Sequence, residues 1–146
     1  MSLYHILFLC TLSPAVILGF WRKGDFRVVA IILLASFSAS YLAFQTPYPI
    51  WYSAVSDLMF SALIAAFCQN RTAVVVGITF ALSAQLSVIY GMANAPNQVY
   101  HPLYAHALSV LGHIENVVLA VGAWDGGSRV GIYRGIRRLW PSLDTG

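Results

Sequence analysis

The chain has 146 residues, of which 59% are hydrophobic and only 9% charged, with a mean hydropathy of +0.73 and a formal net charge of +3. Soluble domains carry about 25% charged residues, so this composition excludes an ordinary water-soluble domain and places the chain in a membrane. Each helical crossing needs about 20 residues, which leaves room for four or five spans and no separate soluble domain.

Five apolar blocks follow one another along the chain. The first, about 3–21, stops at the charged cluster WRKGDFR. It has no basic n-region and no A-x-A-like cleavage site, so it reads as a retained helix rather than a signal peptide. The second, 28–44, ends before QTPYPIW, whose Pro47 and Pro49 disfavour helix continuation. The third, about 52–69, is the weakest because Asp57 lies inside it. The fourth spans 72–92 and is followed by NAPNQ. The fifth, 102–124, is closed by Asp125, Gly126 and Gly127. The expected fold is therefore an all-α, polytopic transmembrane helical bundle over 1–125, followed by a basic tail over 126–146.

Orientation follows from the basic residues, which are retained on the cytoplasmic side. Arg22, Lys23 and Arg27 lie in the first loop, Arg71 in the third, and Arg129, Arg134, Arg137 and Arg138 after the fifth span. All of them fall on one side if the spans number five, with the N-terminus outside and the C-terminus cytoplasmic. A bacterial inner membrane suits this pattern. Trp21, Trp51, Tyr52, Tyr100, Tyr104 and Trp124 fall at span ends, as interfacial anchors do. Cys10 and Cys68 lie at different depths and have no metal-ligand or C-x-x-C spacing, so they read as packing residues.

The fifth span, HPLYAHALSVLGHIENVVLAVGAW with its preceding histidine, combines nine strongly apolar residues with His106, His113, Glu115 and Asn116. An acidic residue at the centre of a span costs about 2.5–3.5 kcal/mol on insertion scales. These polar groups therefore call for partners in the bundle interior. At 100° per residue His113 and Asn116 share one side with His106 and Ser109, while Glu115 lies roughly opposite on a stripe with His101, Leu108 and Gly122. Two polar stripes predict a central position in the bundle or a contact with a second copy.

Asp57, Gln85, His106, His113 and Glu115 are the candidates for an ion or proton site, beside a stripe of Thr79, Ser83, Ser87 and Tyr90 on the fourth span. Hydroxyl and amide groups of this kind also serve as interhelical glue, at about 0.6 kcal/mol each. His5, Asp57, His101 and His106 are expected near a common level toward the outer surface, where imidazole and carboxylate suit a transition metal or haem iron. Small residues at 35–40 and 61–67 are expected to let helices approach closely.

The tail SRVGIYRGIRRLW resembles a short interfacial helix, with Arg129, Arg134, Arg137 and Arg138 facing anionic head groups. No nucleic-acid partner is expected. Walker, dinucleotide-binding, nucleophile-elbow and HExxH signatures are absent, which points away from an enzyme. The leading reading is a membrane subunit, assembled with itself or with other membrane proteins, whose buried polar cluster binds or conducts a small ion or proton. A metal- or haem-bearing redox subunit is the second reading. Small size, several spans and a basic tail resemble phage holins in outline, which makes a holin-like pore former the third.

Overall fold

Where the sequence carries its five apolar blocks, the computed structural model has five α-helices: α1 (Leu3–Trp21), α2 (Asp25–Ala43), α3 (Pro49–Phe67), α4 (Arg71–Ala93) and α5 (Pro102–Trp124). The structure describes residues 3–22, 24–43, 45–94 and 102–124, with the backbone alone for residues 3–5. The basic tail, with Arg129, Arg134, Arg137 and Arg138, lies outside the described residues. No strand occurs among the described ones.

α1 and α5 have the bounds read from sequence. α2 begins three residues earlier than expected, because Asp25 sits in its first turn, where a carboxylate complements the positive end of the helix dipole. α3 also begins earlier, at Pro49. Proline ends a preceding helix but suits the first position of a new one, where its missing N–H has no intrahelical acceptor to serve. Asn70 caps α4, its Oδ1 accepting from the Ala73 amide at 2.7 Å.

Successive helices alternate in direction. At one end, Arg22 after α1 reaches the carbonyl of Ala123 in α5, and Asp25 in α2 reaches the amides of Gln69 and Asn70 between α3 and α4. Gly122 of α5 lies against Thr72 of α4 at this same end. At the opposite end, Gly91 of α4 lies against Ile50 and Trp51 of α3, and Ser87 meets Tyr104 of α5. Arg22, Arg27 and Arg71 thus gather at one end, from which the chain also leaves α5.

α2, α3, α4 and α5 are each long and apolar enough to cross a membrane, and the described side chains of α1, Ile6–Trp21, form a shorter apolar stretch. The outer surface is apolar, with Val55, Leu58, Ile78, Ile89 and Val121 exposed. The interior holds the polar groups Thr79, Ser83, Ser87, Glu115 and Asn116, all buried. A helical bundle that is apolar outside and polar within has helices compatible with an integral membrane protein.

The two halves of the bundle are filled differently. Toward the basic end, Leu12, Ala15, Val29, Ile64, Val76 and Leu119 belong to one continuous apolar core. Toward the other end the side chains leave a cavity. Of the small residues expected to let helices approach, Ala62, Ala65 and Ala66 are exposed, whereas Ser61 donates to the Gly77 carbonyl of α4 at 2.9 Å. Close approach is also made by glycines, Gly19 of α1 against Ala30 and Gly77 of α4 against Ile64 among them, because packing direction decides which small residue meets a neighbour.

Candidate functional site

All five helices contribute to a cavity of about 270 Å³. Its hydroxyl lining comes from Ser36 and Ser40 of α2, Ser53 of α3, Ser83 of α4 and Ser109 of α5. Phe8, Phe37 and Phe80 supply aromatic surface, and Asp57 and Glu115 are its ionisable groups. Ser40, Ser53 and Ala105 lie within about one turn of their helix ends, so the cavity rises toward the end of the bundle opposite the arginines. Below it, Phe80 belongs to both the cavity wall and the apolar core.

Local geometry explains why these residues meet. Asp57 is eight residues into α3, about 12 Å along its axis at 1.5 Å per residue, and Glu115 is thirteen residues into α5, about 20 Å. Both N-termini lie at the same end, so Glu115 stands about 8 Å deeper than Asp57, and both line the cavity. Glu115 is 5% exposed and lies near the Thr79 side chain, whose hydroxyl donates to the Val76 carbonyl at 2.7 Å. Asp57 is half-buried, and no hydrogen bond to it occurs among the described residues. Neither carboxyl is paired with a cation among those residues.

The second polar face of α5 makes a separate cluster against α1. Thr11 Oγ1 lies 2.9 Å from His113 Nδ1, accepts from Asn116 Nδ2 at 3.2 Å and donates to the Phe8 carbonyl at 3.0 Å. A hydroxyl carries one proton, so with that proton on Phe8 O the His113 Nδ1–H is the donor to Thr11. Asn116 Oδ1 is buried with no partner. The Phe8 ring packs on the His113 ring with centroids 5.4 Å apart and on Phe37 at 5.7 Å, so one aromatic side chain stands between the cavity and the histidine cluster.

Of the ion and proton candidates, Asp57 and Glu115 come together, whereas His113 belongs to the Thr11 cluster. Gln85 is exposed on the outer face of α4, and His106 is exposed and does not line the cavity. Ser109, expected beside His113, lines the cavity with Glu115. The stripe Thr79, Ser83 and Ser87 is buried as read. Tyr104, expected as an interfacial anchor, is buried against α4: its ring stacks on Tyr90 at 4.2 Å and its hydroxyl meets Ser87 at 2.7 Å. Trp21 and Trp124 are exposed at the basic end, as anchors are.

The metal set fares differently. The His5 side chain and His101 lie outside the described residues. Of the other two, Asp57 lines the cavity eight residues into α3, while His106 is exposed four residues into α5 and does not line it. Among the described residues no three of His, Cys, Asp and Glu form a group able to hold a metal ion. Cys10 and Cys68 are free thiols.

Sequence reasoning missed the roles of six residues. Thr11 carried no signal, being one hydroxyl in an apolar run. Arg22 and Asp25 read only as a charged loop, yet each satisfies backbone groups of a distant helix end or connection. Ser36 and Ser40 were read only as small packing residues and Ser53 carried no signal, yet all three line the cavity. No family model matches the chain, and neither a curated protein nor a solved structure does.

Proposed function

We propose that this is a five-span integral membrane protein, N-terminus outside and C-terminus cytoplasmic, whose cavity takes up and exchanges a proton or small cation at Asp57 and Glu115. The observation that carries the reading is that two carboxyls line one cavity with no cation beside them among the described residues. An anion in hydrocarbon costs several kcal/mol or more, and intramembrane acidic residues face interiors or wet cavities for that reason. A proton or cation between the two offsets that cost.

Access in this reading is one-sided. The cavity rises toward the end without arginines, while the apolar core closes the basic end. A bacterial inner membrane would then present the cavity to the periplasmic side, by the positive-inside rule. The chain works in this proposal as a subunit, associated with a second copy or another membrane protein along α5. Support comes from His113, which lines an outward hollow with Val110, Ile114, Val117 and Val118, a costly place for an imidazole facing lipid alone.

The test is proton exchange in proteoliposomes carrying an internal pH dye. Wild-type protein is expected to dissipate an imposed pH gradient, and Asp57→Asn with Glu115→Gln to lose that activity while eluting as the same species from a sizing column. Equal rates in wild type and double variant would overturn the proposal.

A further inference from the structure

Resting on the reading of the cavity as a cation site, we propose that its ligand is a small organic cation, a protonated or quaternary amine held between the Asp57 and Glu115 carboxyls and the phenylalanine-lined wall.

The wall chemistry separates this class from an inorganic ion. A hard metal cation seeks six or more oxygen ligands. Here the two carboxyls are joined on the lining by Phe8, Phe37 and Phe80 together with Leu108, Ala105 and Gly112, so much of the wall offers carbon rather than oxygen. An alkylammonium ion matches that mixture. Its charge meets the carboxyls, its methyl or methylene groups bury against apolar wall, and aromatic faces attract it through their quadrupoles. Quaternary ammonium recognition by clustered aromatic rings follows from the same physics.

Size and surroundings point the same way. About 270 Å³ lies just under the roughly 300–1,000 Å³ of pockets for drug-sized ligands, so the occupant is small. The serine hydroxyls Ser53, Ser83 and Ser109 add acceptors for the N–H groups of a primary or secondary amine. Gly112 keeps this space open in a particular way: a methyl group there would stand 2.9 Å from Phe8 Cε2 and force the ring to move. Phe8 is in turn held by Phe37 and His113, so the aromatic wall is braced from behind.

The experiment is equilibrium binding of radiolabelled tetramethylammonium to the full-length protein in lipid nanodiscs. Saturable binding to wild type is expected, with affinity falling at least about tenfold in Glu115→Gln, as loss of a buried charge partner predicts. Phe37→Leu keeps an apolar side chain but removes the ring, and is expected to weaken binding about 2- to 30-fold. Ile78→Ala, on the outer face of α4, is expected to bind as wild type does. Phe80→Leu serves as a second ring variant if Phe37→Leu does not fold. Absence of saturable binding, or binding unchanged in both Glu115→Gln and the ring variants, would overturn the inference. Proton exchange measured on the same preparations keeps the two readings apart. Carboxyl-dependent exchange without tetramethylammonium binding sinks only the organic cation, whereas loss of both sinks the cation site as well.

Discussion

The guanidinium of Arg22 donates through Nε to the Ala123 carbonyl at 2.7 Å and through Nη2 to the Trp124 carbonyl at 3.1 Å, so the residue after α1 closes the C-terminal end of α5. Those carbonyls have no intrahelical donor of their own, and a cation beside them complements the helix dipole. One side chain thus pins the first and last helices at the same end of the bundle. Arg22→Ala is expected to destabilise the protein by about 1 kcal/mol, since the guanidinium is exposed to solvent. Thermal unfolding in detergent reads this as a lower midpoint; an unchanged midpoint would show that the clamp contributes nothing.

Asp25 makes the corresponding link between α2 and the α3–α4 connection, its Oδ2 accepting from the Gln69 and Asn70 amides at 2.6 and 2.7 Å. Burial pushes the nearby Cys68 thiol up, and the Asp25 carboxylate raises it further. Asp25→Asn removes that negative charge, so the thiolate becomes available at lower pH. Alkylation of Cys68 by iodoacetamide, followed by mass spectrometry, is expected to speed up, with the midpoint of the pH–rate profile moving down. A uniform acceleration at every pH would mean that the loop had only loosened.

Thr11 is the hub of the α1–α5 contact, and its hydroxyl serves both His113 and Asn116. Thr11→Val leaves the buried Asn116 amide without a partner for either of its polar atoms, at a cost of about 1–3 kcal/mol. Thr11→Val with Asn116→Leu is expected to recover much of that loss, because removing both partners is milder than orphaning one. Strict additivity of the two single variants in chemical denaturation would refute the coupling.

Helix α5 packs tightly against α4 at Gly122, where a methyl group would overlap the Thr72 side chain, its Cβ included. Gly122→Ala must therefore spread the two helices, at a cost of about 1–3 kcal/mol. A lower unfolding midpoint is the expected result. An alanine variant as stable as wild type would place the true approach elsewhere.

Much of the helical architecture was readable in advance, because long apolar blocks of this kind are compatible with membrane helices. Without water to satisfy backbone groups, a spanning segment must be a helix about 20 residues long, so apolar block lengths alone locate α1 to α5. Boundaries went astray where one residue type has two meanings. Pro49 marked the end of α2 and was in fact the start of α3, and that shift of three residues moved Asp57 from about one turn to about two turns down its helix. The two-sided character of α5 was legible from the 100° rotation per residue, and Glu115 and His113 do face different neighbours.

What the residue order determined by itself was the apolar, all-helical character of the chain, the five helices among the described residues and the presence of polar groups within them. Which of those groups meet was decided by the tertiary structure alone. Rotation and axial offset between helices are set by packing at positions such as Gly91 against Trp51 and Gly122 against Thr72, and no single helix encodes them. That is why Asp57 joins Glu115 rather than His106, why Gln85 faces outward, and why scattered serines from four helices become the wall of one cavity.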